Sequence, residues 1–299
     1  MDGAMRSPRR SSVEVDGGSL AVHEWPGNGP DAVVAVHGIT ANHAAFHALA
    51  EALPDVRLIA PDLRGRGSSR ALPGPYTLDQ HAEDVLAVIT AASAAPVTLV
   101  GHSMGAFVAV LAAARRPDLV RSLVLVDGGL PFPPGPGSEE ERVQATLGPA
   151  LARLDMTFSD REAYHDFWRT HPAFAGSWSD AIAAYADADL VGEGPDLRPG
   201  SNPEAIAVSA RELLGHAGHA SALRSLAEQP VTFIRAPRGL LDQPEALYSP
   251  DVVDAWRREL PGWRIVEADD ANHYTVVMAP AGAALVARVV RDAPIPTAS

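Results

Sequence analysis

Between residues 11 and 25 the segment SSVEVDGGSLAVHEW alternates apolar and polar positions on either side of Asp16-Gly17-Gly18. A period of two interrupted by glycines predicts a β-hairpin closed by a glycine turn. The pattern then changes. AVVAVHG (32–38), VRLIAPD (56–62), PVTLVGHS (96–103) and RSLVLVDGG (121–129) are short continuous apolar runs, and helical periodicity fills 43–53, 77–94 and 103–115 between them. Runs that lack polar alternation are buried on both faces, and runs that alternate with helices pair in parallel. The expected fold class is α/β: a mostly parallel, doubly wound sheet.

The regularity stops after Leu130. PFPPGPG (131–137) reads as a rigid extended linker, and about 90 mostly helical residues precede the next strand-like run, VTFIR (231–235). We read 131–229 as an inserted α-helical cap between two parts of one core, 11–130 and 230–293. Helix starts inside the cap are signalled by Ser138 before Glu139-Glu140-Glu141, by Ser159 with Glu162 three residues on, and by Asn202-Pro203-Glu204. The cap also gathers Tyr164, Phe167, Trp168, Phe174, Trp178 and Tyr185. A helix near 249–260, the strand WRIVE (263–267) and a helix near 275–291 complete the core, while 1–10 and 294–299 are expected to be disordered tails.

Composition narrows the chemistry. The chain has 299 residues, enough for one large domain with an insertion, and its 46 % apolar and 20 % charged residues are those of a water-soluble globular protein. Without any Cys, disulfides, thiolate metal sites and cysteine nucleophiles are excluded. All 24 basic residues are Arg, which excludes a Schiff-base lysine and a P-loop lysine. A formal charge of −13 opposes binding to nucleic acid or an anionic membrane. Arg6, Arg9 and Arg10 precede no apolar run of a secretory signal, and the expectation is a cytoplasmic protein without nucleic-acid or membrane partners.

The sharpest chemical signal is Gly101-His102-Ser103-Met104-Gly105, placed between the strand VTLV and the helix AFVAVLAAARR. A serine at a strand-to-helix corner needs glycines two residues away on either side for the close approach of strand and helix. Its hydroxyl then projects at the carboxyl edge of the sheet, over a helix N-terminus that favours developing negative charge. With these residues the chain resembles the α/β-hydrolase fold superfamily over essentially its whole ordered length. His37-Gly38-Ile39 resembles the superfamily's HG-x segment, which implies that the amides of Ile39 and Met104 form an oxyanion hole, with His37 buttressing the loop. Pro61-Asp62-Leu63-Arg64-Gly65-Arg66-Gly67-Ser68 resembles its glycine-rich turn, in which Asp62 and Arg64 are expected to hold one another. Asn272-His273-Tyr274 stands where the superfamily carries its base, although Asn272 replaces the customary glycine.

Two residues compete as the acid beside His273. Asp127 ends the strand LVLVD, whereas Asp242 follows VTFIR in the spelling Gly239-Leu240-Leu241-Asp242, which begins three residues late. Asp127 is preferred, Asp242 is the alternative and Glu245 a distant third. His216 and His219 lack a third ligand, so no metal is expected, and no cofactor. Phe132, Trp168 and Trp178 are candidates for an apolar pocket wall. A serine nucleophile argues against the dehalogenase and epoxide-hydrolase branches. The resemblance implies hydrolysis of a carboxylic ester or lactone of a small to medium hydrophobic substrate through an acyl-enzyme. The alternatives are C–C bond hydrolysis, thioester hydrolysis or acyl transfer on the same residues, and ligand binding without turnover. Oligomeric state and substrate identity are not encoded in any recognisable motif.

Overall fold

A computed structural model of the chain describes residues 5–29, 32–93, 95–132 and 137–293. The opening hairpin pairs β1 (Arg9–Val15) with β2 (Gly18–Trp25) around Asp16-Gly17, and β2 continues antiparallel onto β4. The remaining strands of this sheet are parallel to one another: β3 (Ala32–Val36), β4 (Arg57–Pro61), β5 (Val97–His102), β6 (Val120–Val126), β9 (Val231–Arg235) and β10 (Arg264–Glu267). Their spatial order is β1-β2-β4-β3-β5-β6-β9-β10. Strands β3 and β5 are buried along their whole length, as their unbroken apolar runs require.

Helices cover both faces. α2 (Leu78–Ala92) and α3 (Met104–Arg115) share one apolar cluster with Leu20, Val34 and Leu99, while α1 (His47–Ala52) and α11 (Pro280–Arg291) close another over Ala35, Val100 and Val126. The last helical stretch is broken by Pro280 into α10 (Thr275–Met278) and α11. α9 (Pro250–Glu259) lies between β9 and β10.

The insertion carries α4 (Glu139–Leu154), α5 (Arg161–Thr170), α6 (Asp180–Asp189), α7 (Pro203–Gly215) and α8 (His219–Ser225), with a two-residue pairing of β7 (Leu190–Val191) and β8 (Arg198–Pro199). Ser138 and Glu141 form a reciprocal capping box at the start of α4, and Asn202 caps α7. α5 is capped by Asp160, not Ser159: the Asp160 carboxylate takes the Ala163 amide, and the Ser159 hydroxyl turns to Asp160. α8 returns to the core, where Leu223 joins the cluster of α3 and the His219 ring lies 4.6 Å from that of Phe107.

Part of the tail expected over 1–10 is structured instead: Arg6 donates to the Ala50 carbonyl, and Arg9 and Arg10 belong to β1. Residues 1–4, the stretch 133–136 of the expected linker and the tail 294–299 lie outside the described residues. No helix among the described residues is long and apolar enough to cross a membrane.

Candidate active site

Strand β5 ends at His102 and α3 begins at Met104, so Ser103 alone turns the corner, at φ 56° and ψ −124°. A side chain held there is strained and must be fixed by its surroundings. The glycines supply the space: a Cβ on Gly101 would lie 2.4 Å from the Gly105 carbonyl oxygen, and one on Gly105 2.0 Å from that of Val36. Gly128 presses equally close, its notional Cβ 2.2 Å from the Ser103 carbonyl oxygen.

Sheet register brings the acid alongside. His102 is paired with Val126 and Val126 with Ile234, so one residue further on Ser103 and Asp127 leave adjacent strands together. Asp127 is wholly buried and has a positive φ of 42°. Its amide donates to the Ile234 carbonyl at 2.7 Å, and its Oδ1 accepts the Ala236 amide at 3.1 Å. The carboxylate is thereby aimed by β9.

His273 completes the row from the loop after β10. Its Nδ1 donates to Asp127 Oδ2 at 2.7 Å, and its Nε2 accepts from Ser103 Oγ at 3.0 Å. Asn272 explains its own presence here: Oδ1 accepts the amides of Tyr274 and Thr275, while Nδ2 donates to the Ala173 carbonyl and to Asp242. A glycine could make none of these bonds. His102 adds a second anchor by donating from Nε2 to the His273 carbonyl at 2.8 Å, and burial pushes its pKa down to about 3, so the ring is neutral.

Asp242 has other partners. Its Oδ1 takes the Asn272 amide and lies 3.0 Å from Arg238 Nε, leaving the His273 imidazole to Asp127. Glu245 is exposed on an outer cavity. Of the three candidates, only Asp127 touches His273.

Ile39 and Met104 both line the space in front of Ser103. Met104 opens α3, so its N–H is one of the helix's unsatisfied donors. The Ile39 N–H shares a peptide unit with the Gly38 carbonyl, which accepts from His37 Nδ1 at 2.8 Å and from the Ala41 amide at 3.2 Å. In a trans peptide the N–H points away from the C=O, so these bonds turn it outward. His37 Nε2 accepts the Leu63 amide at 3.0 Å, which fixes the tautomer, and burial lowers its pKa to about 4.

The glycine-rich turn is wired differently from the expected Asp62–Arg64 pair. Arg64 forms a two-pronged bond with Asp84 on α2, at 2.7 and 2.8 Å. Asp62 instead accepts the His43 and Ser68 amides and the His43 ring. Burial by itself raises the Asp62 carboxyl, but His23 and His43 outweigh it and hold it well below the usual carboxylate range. His23, His43 and Asp62 form a three-donor cluster, yet the two rings stack 3.3 Å apart at 2°. Parallel rings cannot both aim a lone pair at one ion, and both Asp62 oxygens are already bonded. His216 and His219 also part company, the first toward Asp79 and the second donating to the Gly129 carbonyl.

A cavity opens on Ser103, His273 and Asp127, with walls of Ile39, Met104, Phe107, Phe132, Val143 and Leu147 together with Leu213 and Leu240. Phe132 is where the sequence suggested. Trp168 and Trp178 are not in this wall. Trp168 is buried against Tyr185, Phe174 and Arg153, the last of which pairs with Asp189 and Tyr164, while Trp178 stacks beneath Arg169. These aromatics pack into the apolar cluster that α1 and α11 close over the sheet, a destination that composition does not distinguish from a pocket. A second cavity adjoins the first across Leu240 and Leu247 and is more polar, with Gln243, Glu245, His171 and Tyr274.

Known proteins resemble the chain in sequence and fold. The family model of the alpha/beta hydrolase fold matches residues 31–193. A 2-(acetamidomethylene)succinate hydrolase of Mesorhizobium japonicum is 31 % identical over 273 residues, 90 % of each chain. Lipase LipV of Mycobacterium tuberculosis is 34 % identical over 171 residues, 57 % of this chain and 60 % of that one, so the match spans less than two thirds of its length. A crystal structure of E-2-(acetamidomethylene)succinate hydrolase superposes with a TM-score of 0.79 at 27 % identity, covering 96 % of this chain and 98 % of that one. The chain belongs to the α/β-hydrolase fold family, whose relatives here are hydrolases.

Proposed function

We propose that the protein is a serine hydrolase that cleaves a carboxylic ester or lactone with a small to medium hydrophobic acyl part. The observation that carries this reading is the continuous row Ser103 Oγ, His273 Nε2, His273 Nδ1 and Asp127 Oδ2, opening on an apolar cavity.

Ser103 Oγ attacks the carbonyl carbon as its proton passes to His273 Nε2. Asp127 holds the imidazole in the required tautomer and stabilises the imidazolium. The carbonyl oxygen, now negative, lies against the amides of Ile39 and Met104, each such donor being worth roughly 3 kcal/mol of transition-state stabilisation. When the intermediate collapses, the C–O bond to the leaving alcohol breaks and His273 returns the proton to that oxygen. Water then repeats the sequence on the acyl-enzyme, releasing the acid and restoring Ser103.

The cavity wall also bears on the substrate. The relative's name describes a succinate, a dicarboxylate, whereas the described wall residues of the inner cavity include no arginine. An apolar acyl chain is buried there without leaving a charge unpaired. The test is a series of p-nitrophenyl esters from acetyl to decanoyl, beside the succinyl half-ester. We expect kcat/KM to be higher for apolar acyl esters than for the succinyl ester, because the wall is apolar. Preference for the succinyl ester would overturn the assignment of the acyl group.

A further inference from the structure

Arg66 lies in the turn after β4 and is completely buried. The other buried arginines nearby have carboxylate partners, Arg64 with Asp84 and Arg153 with Asp189. Among the described residues no carboxylate pairs with Arg66. Its donors go elsewhere: Nε to the Ile39 carbonyl at 2.9 Å, Nη1 to the Arg64 carbonyl at 3.0 Å, and Nη2 to Ser209 Oγ at 2.9 Å and the Ala205 carbonyl at 3.2 Å. Nη1 is also 3.1 Å from His81 Nε2, and Nη2 is 3.8 Å from Met104 Sδ.

These partners fall into two groups. Ile39 and Met104 line the site, and Ala205 and Ser209 stand one turn apart on α7 of the cap. The same helix gives Ala210, Leu213 and Leu214 to the cavity wall. Ile39 is held from both sides: the peptide unit before it is fixed through Gly38 by His37, and the one after it by Arg66. With both units fixed, the direction of the Ile39 N–H is fixed.

We propose that Arg66 is a positioning residue that ties the seating of the cap helix α7 to the geometry of the oxyanion hole. This rests on the reading of Ser103, Ile39 and Met104 given above. A guanidinium suits the task because its planar fork reaches the loop and the cap at once, which an ammonium cannot do. Burying an unpaired cation is costly, and burial lowers the Arg66 pKa to about 9.

The test compares native protein, Arg66→Lys, Arg66→Met and the milder Ser209→Ala for kcat, KM and affinity for an alkyl boronic acid that mimics the tetrahedral intermediate. For both Arg66 variants we expect kcat and boronate affinity to fall together by about tenfold or more with KM within about twofold, and for Ser209→Ala by about threefold. A residue that only packs would lower the melting temperature and leave the boronate affinity alone. If the Arg66 variants do not fold, Ser209→Ala decides. Unchanged kcat and boronate affinity in folded Arg66→Lys or in Ser209→Ala overturns the proposal. A native chain with neither turnover nor a fluorophosphonate adduct overturns the reading of Ser103, and this proposal with it.

Discussion

Two neighbouring strands of the sheet are each followed by an aspartate that could serve the same histidine, and the structure treats them differently. The turn after β6 and the loop after β9 each place an aspartate at positive φ, 42° at Asp127 and 61° at Asp242. Asp127 is buried, gripped through its amide and Oδ1 by β9, and aimed at His273. Asp242 is half-buried, shares its carboxylate between Arg238 and Asn272, and sits in a loop whose Leu240 and Leu247 form cavity wall. The difference lies in distance from the sheet: a side chain one residue beyond a paired strand inherits the register of the strand. One that is seven residues beyond serves the loop that carries it.

The largest expected effect tests this contrast directly. Asp127→Asn should lower kcat by about 10³- to 10⁴-fold by stabilising the wrong imidazole tautomer, while Asp242→Asn should stay within about fivefold because it reaches His273 only through the Asn272 turn. Steady-state kinetics on one p-nitrophenyl ester would measure both, and a reversal of the two effects would break the comparison. A smaller effect sharpens the role of the loop. Leu240→Trp should cut turnover of octanoyl esters by about tenfold and spare acetyl esters, since the added volume enters the cavity and not the reacting row.

The smallest effect concerns the histidines packed around the site. Burial lowers His37 to about 4 and His102 to about 3, below the usual 6.5. The unfolded chain therefore takes up protons first as pH falls below about 6.5, and the folded state is progressively disfavoured down to about 4 for His37 and about 3 for His102. Asp62, held low, loses its contribution only below its ordinary value of 3.8, under the pH range of the test. Melting temperature should thus be flat near pH 7 and decline by several degrees between pH 6.5 and 4.5. A flat profile across that range would contradict the neutral, buried placement of these rings.

Much of this was legible in the chain. Alternation at β1 and β2, the unbroken apolar runs and the glycines around Ser103 each have one physical reading, and they agree on strand, corner and helix. His273 followed from the order of motifs. The choice between Asp127 and Asp242 turned on register, His102 against Val126 and Val126 against Ile234, which pairs residues far apart in sequence. The partner of Arg64 is Asp84, twenty residues on and one helix away, nearer by fold than by spelling. Aromatic content in the cap signals burial but not direction, so Trp168 and Trp178 read like Phe132 and ended elsewhere. Arg66 went unnoticed inside a glycine-rich turn. The available sign was a second arginine in Arg64-Gly65-Arg66, where one acid on α2 can satisfy only one guanidinium.

The central claim is that Ser103 is activated by His273, and its most direct test is the intact mass of the protein after exposure to a fluorophosphonate, with the modified peptide then mapped. The account predicts one adduct on the native chain, located at Ser103, absent from Ser103→Ala and formed far more slowly by His273→Ala. No adduct on the folded native chain, or an adduct that persists in Ser103→Ala, would contradict it.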